Sequence, residues 1–223
     1  MNAFSQALSV ARKDLSIELR TKESLNSAGA FSVVILLLFS FAFDLSPEET
    51  REISGGLLWL CFSFAGALVF NRGFAREMPN ECLDALLSSP LSAASLIVGK
   101  AITSSLLLLL VEAVSFFVFG IFYDTNWLKQ PWSWLAVCVL ATWGICIIGS
   151  VFGALTINLR LRELMLPVII YPLLLPLLIA AIELTNIVLV NQPFSFLWLR
   201  VLLVFDIVFT CLAVALAEII LVN

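Results

Sequence analysis

Six long apolar runs divide this 223-residue chain, and the polar residues gather in the short intervals between them. The runs cover Asn26 to Phe43, Ile53 to Phe70, Ala101 to Tyr123, Trp132 to Asn158, Leu164 to Leu184 and Leu197 to Val222. A helix needs about 20 apolar residues to cross the hydrocarbon core, so each run predicts one transmembrane helix. The intervals are short, which predicts a single transmembrane domain over residues 1–223.

Two stretches depart from that pattern. Residues 1–25 carry an apolar stripe of Phe4, Leu8, Ala11, Leu15 and Leu19, while Ser5, Ser9, Arg12, Lys13, Ser16 and Arg20 fall on the other side. An unbroken apolar centre and a small-residue cleavage site are both missing, so the stretch predicts an interfacial helix on the cytoplasmic leaflet rather than a signal peptide. Lipid anchoring and partner docking are its two readings. Residues 71–100 form a charged loop between the second and third spans. Within it, Glu77 to Ser89 reads as a short amphipathic helix: Leu83, Leu86 and Leu87 share a face, and Glu81 and Asp84 point away. Pro79 sits where such a helix can begin and Pro90 where it must end.

Cations set the orientation. Arg12, Lys13, Arg20, Lys22, Arg72, Arg76, Lys100, Arg160 and Arg162 fall on one side of six spans, and only Arg51, Lys129 and Arg200 on the other. That asymmetry predicts both termini and the 71–100 loop in the cytoplasm. The opposite side carries Asp44, Glu48, Glu49, Glu52 and Asp124, and Trp127, Trp132, Trp134 and Trp198 read as an interfacial belt. Composition agrees with the pattern: 61% of residues are apolar, 13% charged, and the mean hydropathy is +1.08. An ordinary soluble domain, with an apolar share of about 45 to 50%, is excluded. The net charge of −4 changes little.

Inside the spans, three features stand out. Gly149 and Gly153 form a GxxxG pair that would admit a neighbouring helix backbone. Pro167, Pro172 and Pro176 predict a fifth span kinked or broken near its middle, as a hinge or for packing. Glu112 and Asp206 are the ionisable residues deepest in the membrane, Glu218 lying nearer a cytoplasmic end; such groups are rare there and mark function by default. Their alternative is a neutral carboxylic acid bonded to a neighbouring helix.

Catalytic chemistry is excluded more firmly than transport. There is no histidine, which removes imidazole acid–base catalysis, HExxH zinc sites and histidine ligation of haem iron. Cys61, Cys82, Cys138, Cys146 and Cys211 lack CxxC spacing and predict no metal site; four lie in spans, as small apolar filling. Gly99-Lys100 is followed by Ala101 rather than Ser or Thr, so it is no phosphate loop, and energy must come from another subunit. An intramembrane enzyme would need a reactive constellation, which Glu112 and Asp206 on separate spans do not make.

The segments ARKDLSIELRTKE (residues 11–23), GGLLWL (Gly55 to Leu60) and above all RGFAREMPNECLDALLSSPLSAASLIVGK (Arg72 to Lys100) resemble the CcmB family, haem exporter protein B of cytochrome c maturation. The resemblance runs over essentially the whole length, and it implies an all-α, ABC-2-type permease-like fold of six transmembrane helices with an interfacial helix and a cytoplasmic coupling helix. It implies a non-catalytic membrane subunit of the bacterial inner membrane, in two copies, paired with the ATPase CcmA and working with CcmC, CcmD and the haem chaperone CcmE. ATP and Mg would be held by CcmA, haem by partner subunits, and no cofactor by this chain. Arg72, Arg76, Glu77, Glu81, Leu83, Asp84, Leu86 and Leu87 would then meet the ATPase, coupling hydrolysis to release of haem-loaded CcmE. An exporter permease for haem, lipid or another small molecule is the alternative. Membrane lipid is a partner in either case, and no nucleic-acid partner is expected.

Overall fold

A computed structural model describes residues 3–42, 47–75, 91–123, 130–156, 162–190 and 195–222. Among these residues there are seven helices: α1 (Ala3–Thr21), α2 (Glu23–Ala42), α3 (Pro47–Ala75), α4 (Ala93–Phe122), α5 (Pro131–Leu155), α6 (Arg162–Leu189) and α7 (Phe196–Val222). All but α1 are long and apolar enough to cross a membrane, making this a multi-pass, all-helical membrane protein. The spans match the apolar runs, with one informative exception. The third was expected from Ala101, but α4 begins at Ala93, capped by Ser92, whose hydroxyl accepts from the Ser95 N–H at 3.2 Å. At 30 residues α4 is about 45 Å long, and α2, at 20 residues, about 30 Å.

The two helices are level at their C-terminal ends. The Tyr123 hydroxyl donates to the Leu36 carbonyl at 3.0 Å, and the Phe41 and Phe122 rings meet edge to face with centroids 6.2 Å apart. The excess length of α4 therefore lies at its start, beyond the beginning of α2, and α1 packs there. Ala7, Val10 and Ala11 are buried against it. Gly99 makes the approach possible, because a Cβ at that position would stand 2.7 Å from the Ala7 carbonyl and from the Val10 Cβ. Polar groups complete the seam: the Ser95 hydroxyl bonds to the Ala3 carbonyl (2.9 Å) and Gln6 (3.2 Å), and Thr103 donates to the Ala11 carbonyl (3.3 Å).

The protein therefore covers one flank of the apolar stripe of α1, burying Ala11 and packing Leu15 against the core, together with the small residues beside it. Phe4, Leu8 and Leu19 stay exposed, at 73%, 53% and 47%. The small residues Ala7, Val10 and Ala11 make the close seat, since only small side chains allow it, while Phe4, Leu8 and Leu19 are left for lipid. A sharp turn at Lys22, whose φ is 54°, joins α1 to α2. Glu18 secures it: its carboxylate accepts from the N–H groups of Ser24 (2.7 Å) and Leu25 (3.1 Å) and from the Ser24 hydroxyl (3.0 Å). These are donors that the first turn of α2 cannot satisfy internally.

Helices α3 and α5 lie at the centre of the bundle. Helix α3 runs antiparallel to α6, with the Gly55 N–H donating to Asn186 (3.1 Å) and the Trp59 indole to Thr185 (2.9 Å). A chain of aromatic rings, Trp59, Phe62, Phe116 and Trp134, joins α3, α4 and α5 through centroid distances of 5.6, 5.3 and 4.8 Å. Trp134 is thus interior, at 5% exposure, and does not belong to the expected belt; Trp132, at 81%, fits it. Helix α6 continues through Pro167, Pro172 and Pro176 rather than breaking. Packing by α3, α5 and α7 holds it where isolated prolines would end a soluble helix.

Candidate functional site

A polar junction gathers residues of four helices around Lys100. Lys100 is 4% exposed, although the sequence reading placed it at the rim of the 71–100 loop. Its ammonium forms an ion pair with Asp14 of α1 at 2.9 Å and donates to the Gly73 carbonyl of α3, also at 2.9 Å. Gly73 belongs to the last turn of α3, where carbonyls have no partner within the helix, so Lys100 caps α3 from the start of α4. The charge it brings inside is neutralised by Asp14, which also pairs with Lys13 at 3.2 Å. Arg72, one residue before Gly73, reaches Glu23 at the start of α2, at 3.6 Å between side chains largely in solvent. That outer pair is weak. The inner clasp is buried, and it ties α1, α3 and α4 at the two edges of the 76–92 connection.

Residues 76–90 fall outside the described residues, and with them Arg76, Glu77, Glu81, Leu83, Asp84, Leu86, Leu87 and Cys82. The helices on either side are longer than expected. Asn71 to Ala75 belong to α3 and Ala93 to Lys100 to α4, which shortens the connection from both ends. Gly99 and Lys100 lie in a packed helix with the ammonium engaged, a setting in which no phosphate could be cradled.

Deeper in the bundle, Glu112 and Asp206 flank α5. Glu112 of α4 is 1% exposed; one oxygen accepts from the Thr142 hydroxyl of α5 at 2.5 Å, and the other has no hydrogen-bond partner. Asp206 of α7 is 6% exposed, and neither of its oxygens has a partner. It lies over Gly144 of α5, where an added Cβ would stand 2.6 Å from Asp206 Oδ1 and would overlap Leu177 of α6. The structure thus brings both carboxyls to one helix, two residues apart at Thr142 and Gly144. Composition alone flagged the acids, but nothing local flagged Gly144.

The GxxxG pair works differently from expectation. The space a Gly149 side chain would need is filled by the Phe70 ring of α3 rather than by a helix backbone. Gly153 is buried near the end of the same helix. Close backbone approach occurs instead at Gly99 and at Gly55, where a Cβ would lie 2.9 Å from the Ile182 carbonyl. Cys61, Cys138 and Cys146 are free and buried, and Cys211 is free and exposed on α7. Among the described residues no three His, Cys, Asp or Glu side chains cluster as metal ligands.

The family model described as CcmB protein matches residues 5–222. Three bacterial proteins named heme exporter protein B are similar to the chain over most of its length. That of Rhodobacter capsulatus is 29% identical over 78% of this chain and 79% of its own. Those of Paracoccus denitrificans and Pseudomonas aeruginosa are 28% and 27% identical, covering 77% and 96% of this chain and 78% and 95% of theirs. With six apolar spans, an amphipathic first helix and a family match that leaves out only a few terminal residues, this chain belongs to the CcmB family.

Proposed function

We propose that this chain is the membrane subunit of an ABC-type, haem-exporter-class complex of c-type cytochrome biogenesis, which carries ATP-driven motion from a partner ATPase into the bilayer. The observation that carries the reading is the family match over residues 5–222, together with the name shared by relatives that cover most of the chain. In this reading CcmA hydrolyses ATP with Mg, CcmC and CcmD complete a complex containing two copies of this chain, and hydrolysis releases haem-loaded CcmE. The whole chain, 1–223, acts as one permease domain in the bacterial inner membrane with both termini in the cytoplasm. The grouping of cations on one side supports that orientation.

Coupling enters through residues 76–92. The segment Glu77 to Ser89 docks its leucines in a groove on CcmA, with Arg72 and Arg76 beside it. Force on that segment reaches the last turn of α3 and the first turns of α4 together, because Lys100 grips Gly73 across the gap. Asp14 passes it on to α1. Haem iron stays on the partners, since the chain has no histidine to serve as an axial ligand.

Affinity purification of the tagged chain from its native membrane should bring down the ATPase. Cells lacking the chain should accumulate haem-loaded chaperone on its loading complex and make little mature cytochrome c. A tight one-to-one haem complex of the isolated chain, abolished by changing a single Cys or Met, would replace this reading with direct haem export.

A further inference from the structure

Helix α1 sorts its charges by side. Its two acids, Asp14 and Glu18, continue the helical spacing of Ala7 and Ala11, so all four share the face turned to the bundle. There Asp14 pairs with Lys100, and Glu18 accepts from the first turn of α2. The cations are turned away. Arg12 and Arg20 of α1 and Lys22 of the turn are exposed, and among the described residues no acid pairs with any of them. Lys13 reaches Asp14, and the nearby exposed Glu23 is matched by Arg72. The outer side of α1 thus carries three unbalanced positive charges.

Those charges border an apolar surface. Leu8, Arg12 and Leu19 fall on one strip of the helix, with Phe4 one turn before Leu8, and all three apolar side chains are exposed. The depth of this surface follows from α2. At 20 residues that helix is about 30 Å long, the thickness of the hydrocarbon core, so its first residue, Glu23, marks the boundary with the head groups. Arg20 and Lys22 immediately precede it. A purely zwitterionic leaflet covers the apolar strip but brings no net negative charge to the three cations, whereas a leaflet containing anionic lipid satisfies both. We propose that the outer side of α1 is a binding site for anionic phospholipid, whose head groups sit on Arg12, Arg20 and Lys22 while Phe4, Leu8 and Leu19 enter the acyl layer. The inner side of the same helix holds Lys100 through Asp14, so the lipid contact and the clasp share one rigid element. This inference concerns a lipid site and does not depend on which ATPase or chaperone the chain serves.

Site-directed fluorescence quenching tests it on the full chain. Ser16 is exposed and lies one turn from both Arg12 and Arg20. A nitrobenzoxadiazole fluorophore on Ser16→Cys, in an otherwise cysteine-free chain in phosphatidylcholine nanodiscs, therefore reports the lipid beside them. Phosphatidylglycerol spin-labelled high on its acyl chain should reach half-maximal quenching at a mole fraction at least about fivefold below that of the matching phosphatidylcholine, since one cation near an anionic surface is worth about that factor. In Arg12→Gln/Arg20→Gln/Lys22→Gln the two lipids should coincide. High salt should narrow their difference to within about twofold when the three cations are intact, and this decides the question should the triple variant fail to assemble. Soluble glycerol phosphate, at the concentration of the labelled lipid, should not relieve the quenching, because the apolar strip holds the lipid as well. Equal quenching by the two lipids, a phosphatidylglycerol preference undiminished by the triple substitution or by salt, relief by glycerol phosphate, or no quenching by either lipid would each overturn the proposal, the last of these assigning the surface to a protein partner or to water.

Discussion

The ring of Phe70 on α3 occupies the space where a side chain of Gly149 on α5 would stand. The two central helices are keyed by a large residue meeting an absent one. Gly149→Leu should therefore destabilise the bundle by about 1 to 3 kcal/mol through overpacking. Adding Phe70→Ala should recover part of that loss, at least about 0.5 kcal/mol of coupling in a double-mutant cycle. Thermal unfolding in detergent measures both, and strict additivity would show that the ring and the glycine do not constrain each other.

The Lys100 clasp predicts an asymmetric response to mutation. Lys100→Met leaves the Gly73 carbonyl uncapped and Asp14 with only the more exposed Lys13 as a partner, and breaking a buried pair costs about 3 to 5 kcal/mol, so a loss toward the lower end of that range is expected. Removing both charges in Lys100→Met/Asp14→Leu should cost less than Lys100→Met alone. Unfolding midpoints of the two variants decide the point, and a double variant less stable than the single would contradict it.

A topology test follows from the cation pattern. In a cysteine-free background, a thiol near Ser46 should react with an impermeant reagent added outside the cell, while one near Ser88 should react only after the membrane is opened. Reversed labelling would turn the whole arrangement over.

If Glu77 to Ser89 docks on the ATPase, charge on its apolar face should release the partner. Leu83→Asp or Leu86→Asp should detach the ATPase while leaving membrane insertion intact, since loss of one buried leucine alone is worth about 2 to 5 kcal/mol. Co-purification from solubilised membranes reads the outcome. Retention of the ATPase in both variants would reduce the segment to an element of the lipid surface.

Replacing the acid beside Thr142 should depend on shape more than charge. Glu112→Gln keeps an acceptor for the Thr142 hydroxyl and should leave stability within about 1 kcal/mol, whereas Glu112→Leu strands that hydroxyl and should cost about 1 to 3 kcal/mol. Unfolding of the two variants side by side tests the ordering.

The six spans were legible because a run of about 20 apolar residues has one stable fate in a bilayer. Glu112 and Asp206 were legible because acids are rare at that depth. What escaped detection was relational. Lys100 reads as a loop cation until α4 is seen to start at Ala93, and its partners lie 86 and 27 residues away in sequence. Gly55, Gly99 and Gly144 carry no local motif; their importance lies in Ile182, Ala7 and Asp206, which only the folded bundle brings near. The apolar stripe of α1 was read correctly as a stripe. Periodicity cannot tell a face turned to lipid from one turned to protein, because both solvents are apolar, and the protein contact turned out to fall on Ala11 within the stripe and on Ala7 and Val10 beside it.

The seat of α1 on Ser95, Gly99 and Thr103 also bears on how the chain is made. Helix α1 leaves the ribosome before α4, and the residues that receive it are translated some 90 positions later. At about 5 to 20 residues per second, that delay lasts several seconds. During it, the helix can rest on the bilayer surface through Phe4, Leu8 and Leu19, the part of the stripe that the finished protein leaves uncovered. Two adjacent apolar faces on one short helix thus serve two successive hosts: the leaflet while the polypeptide is still growing, and α4 once it has arrived.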